Sequence, residues 1–187
     1  QPQKDGSLLV CATEEAHLML LKRAPWPHYR IEAELCHLEG PRGKVGLCFF
    51  HQLARPPSRV QGYFKLHFTD QMHGLSLVMA EIVAHIPGEG TRELDLGMHL
   101  LNSRPRRGRL PIRWRRVNIE VRNNSVMIEW ENLRFLLKRS QLIASWNAAC
   151  PLKRIRPSLN LQGGIGLHVS KGKASFRNVR IVPLSTD

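Results

Sequence analysis

Apolar and polar residues alternate along several short stretches of this chain, and this alternation limits its possible folds more than any other feature. Successive side chains of a β-strand point to opposite faces, so a period of two indicates a strand with one buried face. Gly62–Phe68 shows the pattern most cleanly, and Tyr29–His37 repeats it. In Gly62–Phe68 the predicted core side carries Phe64, Leu66 and Phe68, and the opposite side carries Tyr63, Lys65 and His67.

Further stretches of the same kind predict a protein built from antiparallel strands. Asn123-Asn124 is typical of a tight turn, because asparagine tolerates positive φ, and it separates two segments that should pair as a hairpin. Thr13–Leu21 also suits a short helix, but it continues an adjacent strand pattern and is interpreted as strand. Lys138–Leu161 has no clean period and is expected to cross one edge irregularly. The predicted strands are Gly6–Ala12, Thr13–Leu21, Tyr29–His37, Lys44–Gln52, Gly62–Phe68, one or two within Leu75–Ile86, Ile112–Val121, Val126–Trp130, Leu133–Leu137, and a closing hairpin of Gly163–Val169 and Ala174–Val182 around Lys171–Lys173.

These elements predict one all-β domain over residues 1–187, folded as a two-sheet antiparallel sandwich. A chain of 187 residues is long enough to bury a two-layer core without disulfides or metal ions. Its longest apolar runs, such as Leu75–Ala80, are too short to cross a bilayer. We therefore expect no membrane span.

The chain is strongly basic, with 28 Lys and Arg residues against 15 Asp and Glu residues and a net charge of +13. Such a surplus favours association with an anionic polymer or surface, although dispersed arginine also serves solubility. No recognition helix or stacking-aromatic motif accompanies the charge, so sequence-specific nucleic-acid binding is not expected. The basic clusters are Arg104, Arg106, Arg107, Arg109, Arg113, Arg115 and Arg116, and a second group of Lys153, Arg154 and Arg156.

The four cysteines have none of the paired spacings of zinc or redox motifs. If the segments around Cys36 and Cys48 pair as a hairpin, the two thiols lie nearly opposite each other on one face. We predict proximity of two thiols rather than a disulfide, because disulfide geometry is demanding.

Carboxylates raise the question of glycoside hydrolysis, which normally needs two of them flanking the scissile bond. Glu129 and Glu131 alternate onto one face of a predicted strand, and Glu120 is expected across the hairpin from them. These three are the candidate catalytic residues if the protein is an enzyme. The alternative is a solvated sheet face on which the carboxylates pair with Arg122 and Arg134.

Other kinds of site chemistry have little support. The nine histidines are scattered over different strands, so no metal site is predicted. The sequence lacks a Gly-x-Ser-x-Gly motif and a glycine-rich phosphate loop before a helix, and no cofactor is predicted. Tyr63 is the best candidate for stacking on a sugar ring, since Lys65 and His67 share its strand face and His51 is expected nearby. These four residues are the predicted ligand-binding set.

Several runs together resemble the bacterial 3-keto-disaccharide hydrolase domain family. Gly164–His168 followed by Phe176–Leu184 resembles the closing hairpin of that family. Ile112–Val121 with Asn123–Trp130 is similar to the tryptophan-led strand and hairpin that precede it, and the early strands Tyr29–Leu35, Val45–Phe50 and Gly62–Leu66 follow in the family order. The resemblance implies a concanavalin A-like, laminin-G-like jelly roll, hydrolysis of keto-disaccharides and an extracytoplasmic location.

The chain departs from this family at two places. Lys44–Phe50 lacks the polar Asn and Arg that such domains commonly carry there, and Glu131-Asn132 replaces the usual Asn-Gly turn. These departures favour inheritance of the fold over inheritance of the activity. We therefore predict a non-enzymatic, lectin-like carbohydrate-binding or accessory module, with two alternatives: a glycoside hydrolase, and a basic interaction domain for an anionic partner.

Overall fold

The computed structural model describes residues 1–39, 43–53, 60–70, 76–100, 114–130, 133–149 and 158–185. Within these ranges the chain forms ten β-strands and one α-helix. In chain order they are β1 (Leu8–Arg23), β2 (Tyr29–Glu39), β3 (Lys44–Leu53), β4 (Gln61–Asp70), β5 (Ser76–Ile86), β6 (Gly90–Leu100), β7 (Trp114–Arg122), β8 (Ser125–Trp130), β9 (Leu133–Lys138), α1 (Arg139–Ala149) and β10 (Gly164–Pro183).

The strands form one curled antiparallel sheet in the order β6-β5-β4-β3-β10-β2-β7-β8-β9, and β1 pairs with β10. The first part of β10, Gly164–Ser170, pairs with β3, and its second part, Lys173–Pro183, pairs with β2. We call the part with β3, β4, β5 and β6 the first half-sheet, and the part with β2, β7, β8 and β9 the second half-sheet. The two half-sheets make an antiparallel sandwich, which confirms the predicted fold class.

The core lies between the inner faces of the two half-sheets. Apolar residues of both half-sheets form one buried cluster, to which Phe64 and Leu66 belong as predicted, whereas the side chain of Phe68 lies outside the described part. Phe49 and Phe50 pack against Phe64 at ring-centroid distances of 5.8 and 5.3 Å. Burying each such aromatic side chain contributes roughly 1.5–3 kcal/mol, so this aromatic group anchors the first half-sheet.

The predicted closing hairpin is wrong, because β10 continues as a single strand through Lys171–Lys173. Lys171 has a φ of +52°, and the register between β1 and β10 shifts between Ala12 and Ala16. Irregularities of this kind bend a strand without reversing it. Alternation on both sides of Gly172 is what a hairpin would also show, so only the pairing partners distinguish the two cases.

The segment expected to be irregular, Lys138–Leu161, contains helix α1 in its described part. Leu142, Trp146 and Ala149 are buried at helical spacing, and α1 packs against β5, β6 and β9. The indole of Trp146 stacks on Phe64 at 5.7 Å. A Cβ at position 62 would lie 2.5 Å from that ring, so Gly62 is required for the helix to dock.

Four other points of local structure can be compared with the sequence predictions. The turn at Asn123-Asn124 joins β7 to β8 as predicted, but neither asparagine has positive φ, so the stated reason for the turn is wrong. The segment Thr13–Leu21 lies within β1, as predicted. Strand β6 was not predicted, although Leu94 and Leu96 alternate along it. The predicted turn at Glu131-Asn132 lies outside the described residues.

The predicted hairpin between β2 and β3 does not form, because β10 lies between these strands. Cys36 lies opposite Ser175 in the second part of β10, and Cys48 lies opposite Gly166 in the first part. The predicted proximity of the two thiols is therefore wrong. Burial raises the pKa of the Cys48 thiol, which keeps it protonated.

None of the helices in the described ranges has the length and apolar character needed to cross a bilayer.

Candidate ligand-binding face

A β-bulge in β3 directs His51 to the outer face of the first half-sheet. The register with β4 is interrupted between Phe49 and Gln52, and Phe50 has a φ of +60°. In a bulge, two residues of one strand lie opposite one residue of its partner, so the alternation of faces shifts by one. Phe50 therefore stays in the core against Phe64, while His51 turns outward.

Two consecutive glycines accommodate this bulge: Gly163, which directly precedes β10, and Gly164, its first residue. A Cβ at Gly163 would lie 2.6 Å from the backbone carbon of Phe50, which is a clash with main chain that cannot move aside easily. A Cβ at Gly164 would lie 3.3 Å from the Cβ of His51. The glycines thus let β10 approach the bulge and leave room for the imidazole ring of His51.

His51 and Tyr63 lie side by side on the outer face, as predicted. Their ring centroids are 6.0 Å apart, and both residues are half-buried. The Nε2 atom of His51 lies 3.3 Å from Oε1 of Gln61, two residues before Tyr63 on β4. Burial, followed by nearby negative charge, raises the pKa of Tyr63 to about 12. The phenol is therefore a neutral hydroxyl that can both donate and accept a hydrogen bond.

Lys65 lies on the same face as Tyr63 but points into a buried ion-pair network. Its side chain is only 4% exposed, and its Nζ atom lies 2.6 Å from Oε2 of Glu81 and donates a hydrogen bond of 2.9 Å to Oε1 of Glu93. Lys44 Nζ lies 3.8 Å from Oε1 of Glu81. A buried ammonium needs such pairing, because an unpaired charge loses its hydration without compensation. Lys65 is thus fully engaged by carboxylates.

His67, the third predicted residue of β4, is fully buried beside His168 of β10. The ring centroids are 6.0 Å apart, and none of the four ring nitrogens has a hydrogen-bond partner. Burial first, and the nearby Lys65 ammonium second, lower the pKa of His67 to about 2 and that of His168 to about 3. Both rings are therefore neutral. His67 lies beneath the accessible surface and not on it.

The outer face of the first half-sheet therefore has an accessible part and a buried part. We call it the Tyr63 face. The accessible part combines one aromatic ring with hydrogen-bonding groups, and the buried part holds a closed charge network and two neutral imidazoles. Among the described residues, no group of three or more His, Cys, Asp or Glu side chains could hold a metal ion. The accessible part is His51, Gln61, Tyr63 and Glu93, and the buried part is Lys65, His67, Glu81 and His168.

Sequence reasoning missed Glu81, Glu93, Gln61 and His168 as members of this face. Glu81 carried a usable signal, because it is the only charged residue in the apolar run Leu77–Ala84. A lone acidic residue in such a strand predicts a buried ion pair. Its partner, however, depends on the register Lys65 to Glu81, which alternation within one strand does not reveal.

Two of the three candidate catalytic carboxylates, Glu120 and Glu129, lie on the outer face of the second half-sheet. Glu129 accepts hydrogen bonds from Asn118 and from Arg134 at 3.1 and 2.7 Å. Asn118 first, then Arg134, lower the pKa of Glu129. Pairing of Glu129 with Arg134 agrees with the solvated-face alternative, but Glu120 pairs with Arg30 rather than Arg122, at 2.6 Å.

The ion pair between Glu129 and Arg134 affects whether Glu129 could act as an acid catalyst. A glycosidase acid needs a raised pKa so that it still holds its proton near neutral pH. Glu129 has the opposite shift. Glu131, the third candidate, lies outside the described residues.

The predicted basic clusters are only partly covered by the structure. Of the first cluster, Arg115 is buried and Arg116 is exposed on β7, and the rest lies outside the described ranges together with the whole second cluster. The outer face of the second half-sheet does carry more cations than anions. The cations are Arg30, Arg116, Arg122, Arg134, Lys138, Arg177 and Arg180, and the anions are Glu32, Glu34, Glu120 and Glu129.

Two solved structures share this architecture. The carbohydrate-binding module CBM66 from Bacillus subtilis is 12% identical, with a TM-score of 0.55 over 95% of this chain and 95% of that one. A point mutant of the GH43 protein BlXynB from Bacillus licheniformis is 11% identical, with a TM-score of 0.56 over 96% of this chain. The chain spans 33% of the length of that second protein. No protein-family model and no curated protein matches the sequence.

At this level of identity the comparisons show the fold. The chain is a concanavalin A-like jelly-roll sandwich, as the resemblance implied. The comparisons do not confirm the narrower 3-keto-disaccharide hydrolase family.

Proposed function

We propose that residues 1–187 form one carbohydrate-binding module, without enzymatic activity, that holds its sugar on the Tyr63 face. The observation that carries this proposal is the grouping of the Tyr63 ring with His51, Gln61 and Glu93 on one accessible surface. Aromatic rings stack on the apolar faces of sugars, and surrounding polar groups read the hydroxyls. The fold shared with a carbohydrate-binding module supports the same function.

Each accessible residue has a distinct task in this proposal. The ring of Tyr63 packs against a sugar ring, while its neutral hydroxyl donates a hydrogen bond. His51 and Gln61 already lie 3.3 Å from each other, so their mutual contact fixes both side chains before a ligand arrives. Glu93 accepts hydrogen bonds from sugar hydroxyls. Each such hydrogen bond contributes about 1 kcal/mol net, so several are needed for useful affinity.

The buried part of the face holds Glu93 in position. Lys65 is clamped between Glu81 and Glu93, so one oxygen of Glu93 is fixed at 2.9 Å from a rigid ammonium. A carboxylate with one oxygen fixed presents the other at a defined place. Preorganisation of this kind raises affinity, because the side chain loses little freedom on binding.

The test is a glycan array followed by calorimetric titration of the best ligand. Tyr63→Ala should weaken binding at least tenfold, and Tyr63→Phe should retain part of it because the ring remains. Leu136→Ala is a matched control, since Leu136 is an exposed side chain of the second half-sheet. Absence of any glycan whose binding depends on Tyr63 would refute the proposal.

The hydrolase alternative has weaker support. Glu120 and Glu129 are both engaged by arginine, and the lowered pKa of Glu129 suits an anion rather than an acid catalyst. Incubation with a panel of keto-disaccharides tests it. Release of monosaccharide by the wild type but not by Glu129→Gln would establish hydrolysis.

A further inference from the structure

Among the described residues, the Tyr63 face has no net charge, although the protein as a whole carries +13. Within the face, the cations Lys44 and Lys65 are matched by the anions Glu81 and Glu93. At its margins, the exposed Arg23 and the exposed Asp95 add one charge of each sign. The described residues of this face therefore add nothing to the protein's surplus of positive charge.

The cation nearest to the accessible part is not available to an anionic ligand. Lys65 is 4% exposed, and its ammonium contacts two carboxylates at 2.6 and 2.9 Å. Glu93 does reach solvent, since its side chain is 48% exposed. An acidic group placed over the Tyr63 ring would therefore meet a carboxylate first.

The two buried histidines of the face do not supply a cation either. His67 and His168 are buried and neutral, because burial and the Lys65 ammonium oppose their protonation. His51 lies against Gln61, whose Oε1 atom is an acceptor 3.3 Å away. One ring nitrogen of His51 makes this contact, and the ring has a second nitrogen that can meet a sugar hydroxyl.

From this arrangement we infer that the Tyr63 face selects uncharged, hydroxyl-rich sugars and rejects sugars that carry a carboxylate or a sulfate group. The inference rests on the proposed function and names its ligand class. Hydroxyls both donate and accept hydrogen bonds, so they match Glu93, Gln61 and the Tyr63 phenol together. Carboxylates and sulfates only accept, and Glu93 repels them.

Polyanions should still associate with the protein elsewhere. The outer face of the second half-sheet has more arginine and lysine than glutamate, and such a surface retains polyanions by charge alone. Retention of that kind weakens steeply as salt is added, and it does not depend on Tyr63. Salt dependence and Tyr63 dependence therefore separate the two modes of binding.

The experiment compares neutral and acidic glycans on the full chain at physiological salt. The neutral probes are oligosaccharides of glucose, galactose, xylose and fructose, and the acidic probes are oligogalacturonate, sialyllactose and sulfated galactan. The proteins are the wild type, Tyr63→Ala, Glu93→Gln and the control Glu89→Gln. Glu89 is an exposed acidic residue paired with Arg92 in the β5–β6 connection, so its change removes the same charge away from the ligand.

We expect at least one neutral probe to bind the wild type and to lose this binding in Tyr63→Ala. No acidic probe should show Tyr63-dependent binding. Glu93→Gln should then gain binding to acidic probes at least tenfold, because Lys65 is left with one carboxylate, whereas Glu89→Gln should not. Acidic probes that bind the wild type through Tyr63 would overturn the inference and leave carbohydrate binding standing. Unchanged rejection of acidic probes by Glu93→Gln would also overturn it. Absence of Tyr63-dependent binding to every probe would overturn the proposed function itself.

Discussion

Lys65 and Glu81 lie opposite each other on β4 and β5, and their charged atoms are 2.6 Å apart where solvent hardly reaches. The pair sits beneath the accessible part of the Tyr63 face and fixes Glu93 through the same ammonium. A sheet face that contains such a buried ion pair differs from an ordinary solvated face, because the paired side chains cannot change conformation freely. This makes the pair a sensitive point for both stability and binding.

Lys65→Met should lower the free energy of unfolding by about 3 kcal/mol, because the buried Glu81 carboxylate loses its nearest cation. Urea unfolding measures this. The double variant Lys65→Met/Glu81→Gln should recover part of the loss, since no buried charge then remains unpaired. Losses that simply add in the double variant would show that the two side chains are not coupled.

The exposed pair Arg92–Glu89 provides the comparison. Arg92→Met should change the free energy of unfolding by less than about 1 kcal/mol, because solvent screens exposed ion pairs. Equal losses for Arg92→Met and Lys65→Met would contradict the importance assigned to burial.

Stability should fall as the pH is lowered from about 6.5, owing to His67 and His168. In the unfolded chain these histidines take up protons near pH 6.5, whereas burial lowers their pKa in the folded protein to about 2 and about 3. The unfolded state therefore binds more protons in this window, so acid favours unfolding. Well below pH 6.5 each histidine contributes about 1.4 kcal/mol per pH unit. Urea unfolding at a series of pH values measures the slope.

The carboxylates do not obscure this slope above about pH 5.5, which is one unit above their ordinary pKa of 4.5. The pKa values of Glu32, Glu34 and Glu129 are lowered from 4.5 in the folded protein, so these residues stay ionised in both states there. The double variant His67→Gln/His168→Gln should flatten the slope. His85→Gln, at an exposed position of β5, should leave it unchanged. A steep slope in the double variant would rule out these two histidines as its cause.

Gly163→Ala should destabilise the fold by about 1–3 kcal/mol, because the new methyl group would lie 2.6 Å from the main chain of Phe50. Displacement of the bulge would also move His51, so sugar affinity should fall in the same variant. Gly164→Ala, where the nearest atom is the Cβ of His51 at 3.3 Å, should cost less stability but still disturb binding. Thermal unfolding and titration with the best glycan measure the two effects.

Trp146→Ala should lower the free energy of unfolding by about 3–5 kcal/mol, because it leaves a cavity where the indole stacks on Phe64 and approaches Gly62. Ile143→Ala, an exposed position of the same helix, should change it by less than about 0.5 kcal/mol. Similar losses in both variants would mean that helix propensity, and not docking, stabilises this region.

Local patterns were sufficient to predict the parts of the fold that pair with their neighbours in the chain. The β7–β8–β9 meander and the inward direction of Phe64 and Leu66 agree with a period of two along each strand. The order β3-β10-β2 does not follow from such a pattern, because strands from opposite ends of the chain meet there and alternation carries no information about partners. Helix α1 was missed for another reason: polar residues interrupt its apolar stripe, so it has no strong amphipathic period.

The candidate site shows the same division. Tyr63 and His51 were predicted from residue type and approximate position, and they do lie together. The burial of Lys65 and His67 could not be predicted, because it depends on which side chains of β5 and β10 lie opposite them. The residue types on one face of a strand could thus be predicted from the sequence. The burial and protonation of each side chain depend on the residues opposite it on neighbouring strands, which the sequence pattern does not give.

The shared course of β10 has a mechanical consequence. In the described part of the chain, one edge of β3 and one edge of β2 both pair with β10, which is a single continuous strand. The two half-sheets hold successive parts of this strand, Gly164–Ser170 and Lys173–Pro183, so loss of the strand as a whole would release both of them at once. Melting should accordingly proceed in one step, and a break near Gly172 should be as damaging to β2 as to β3.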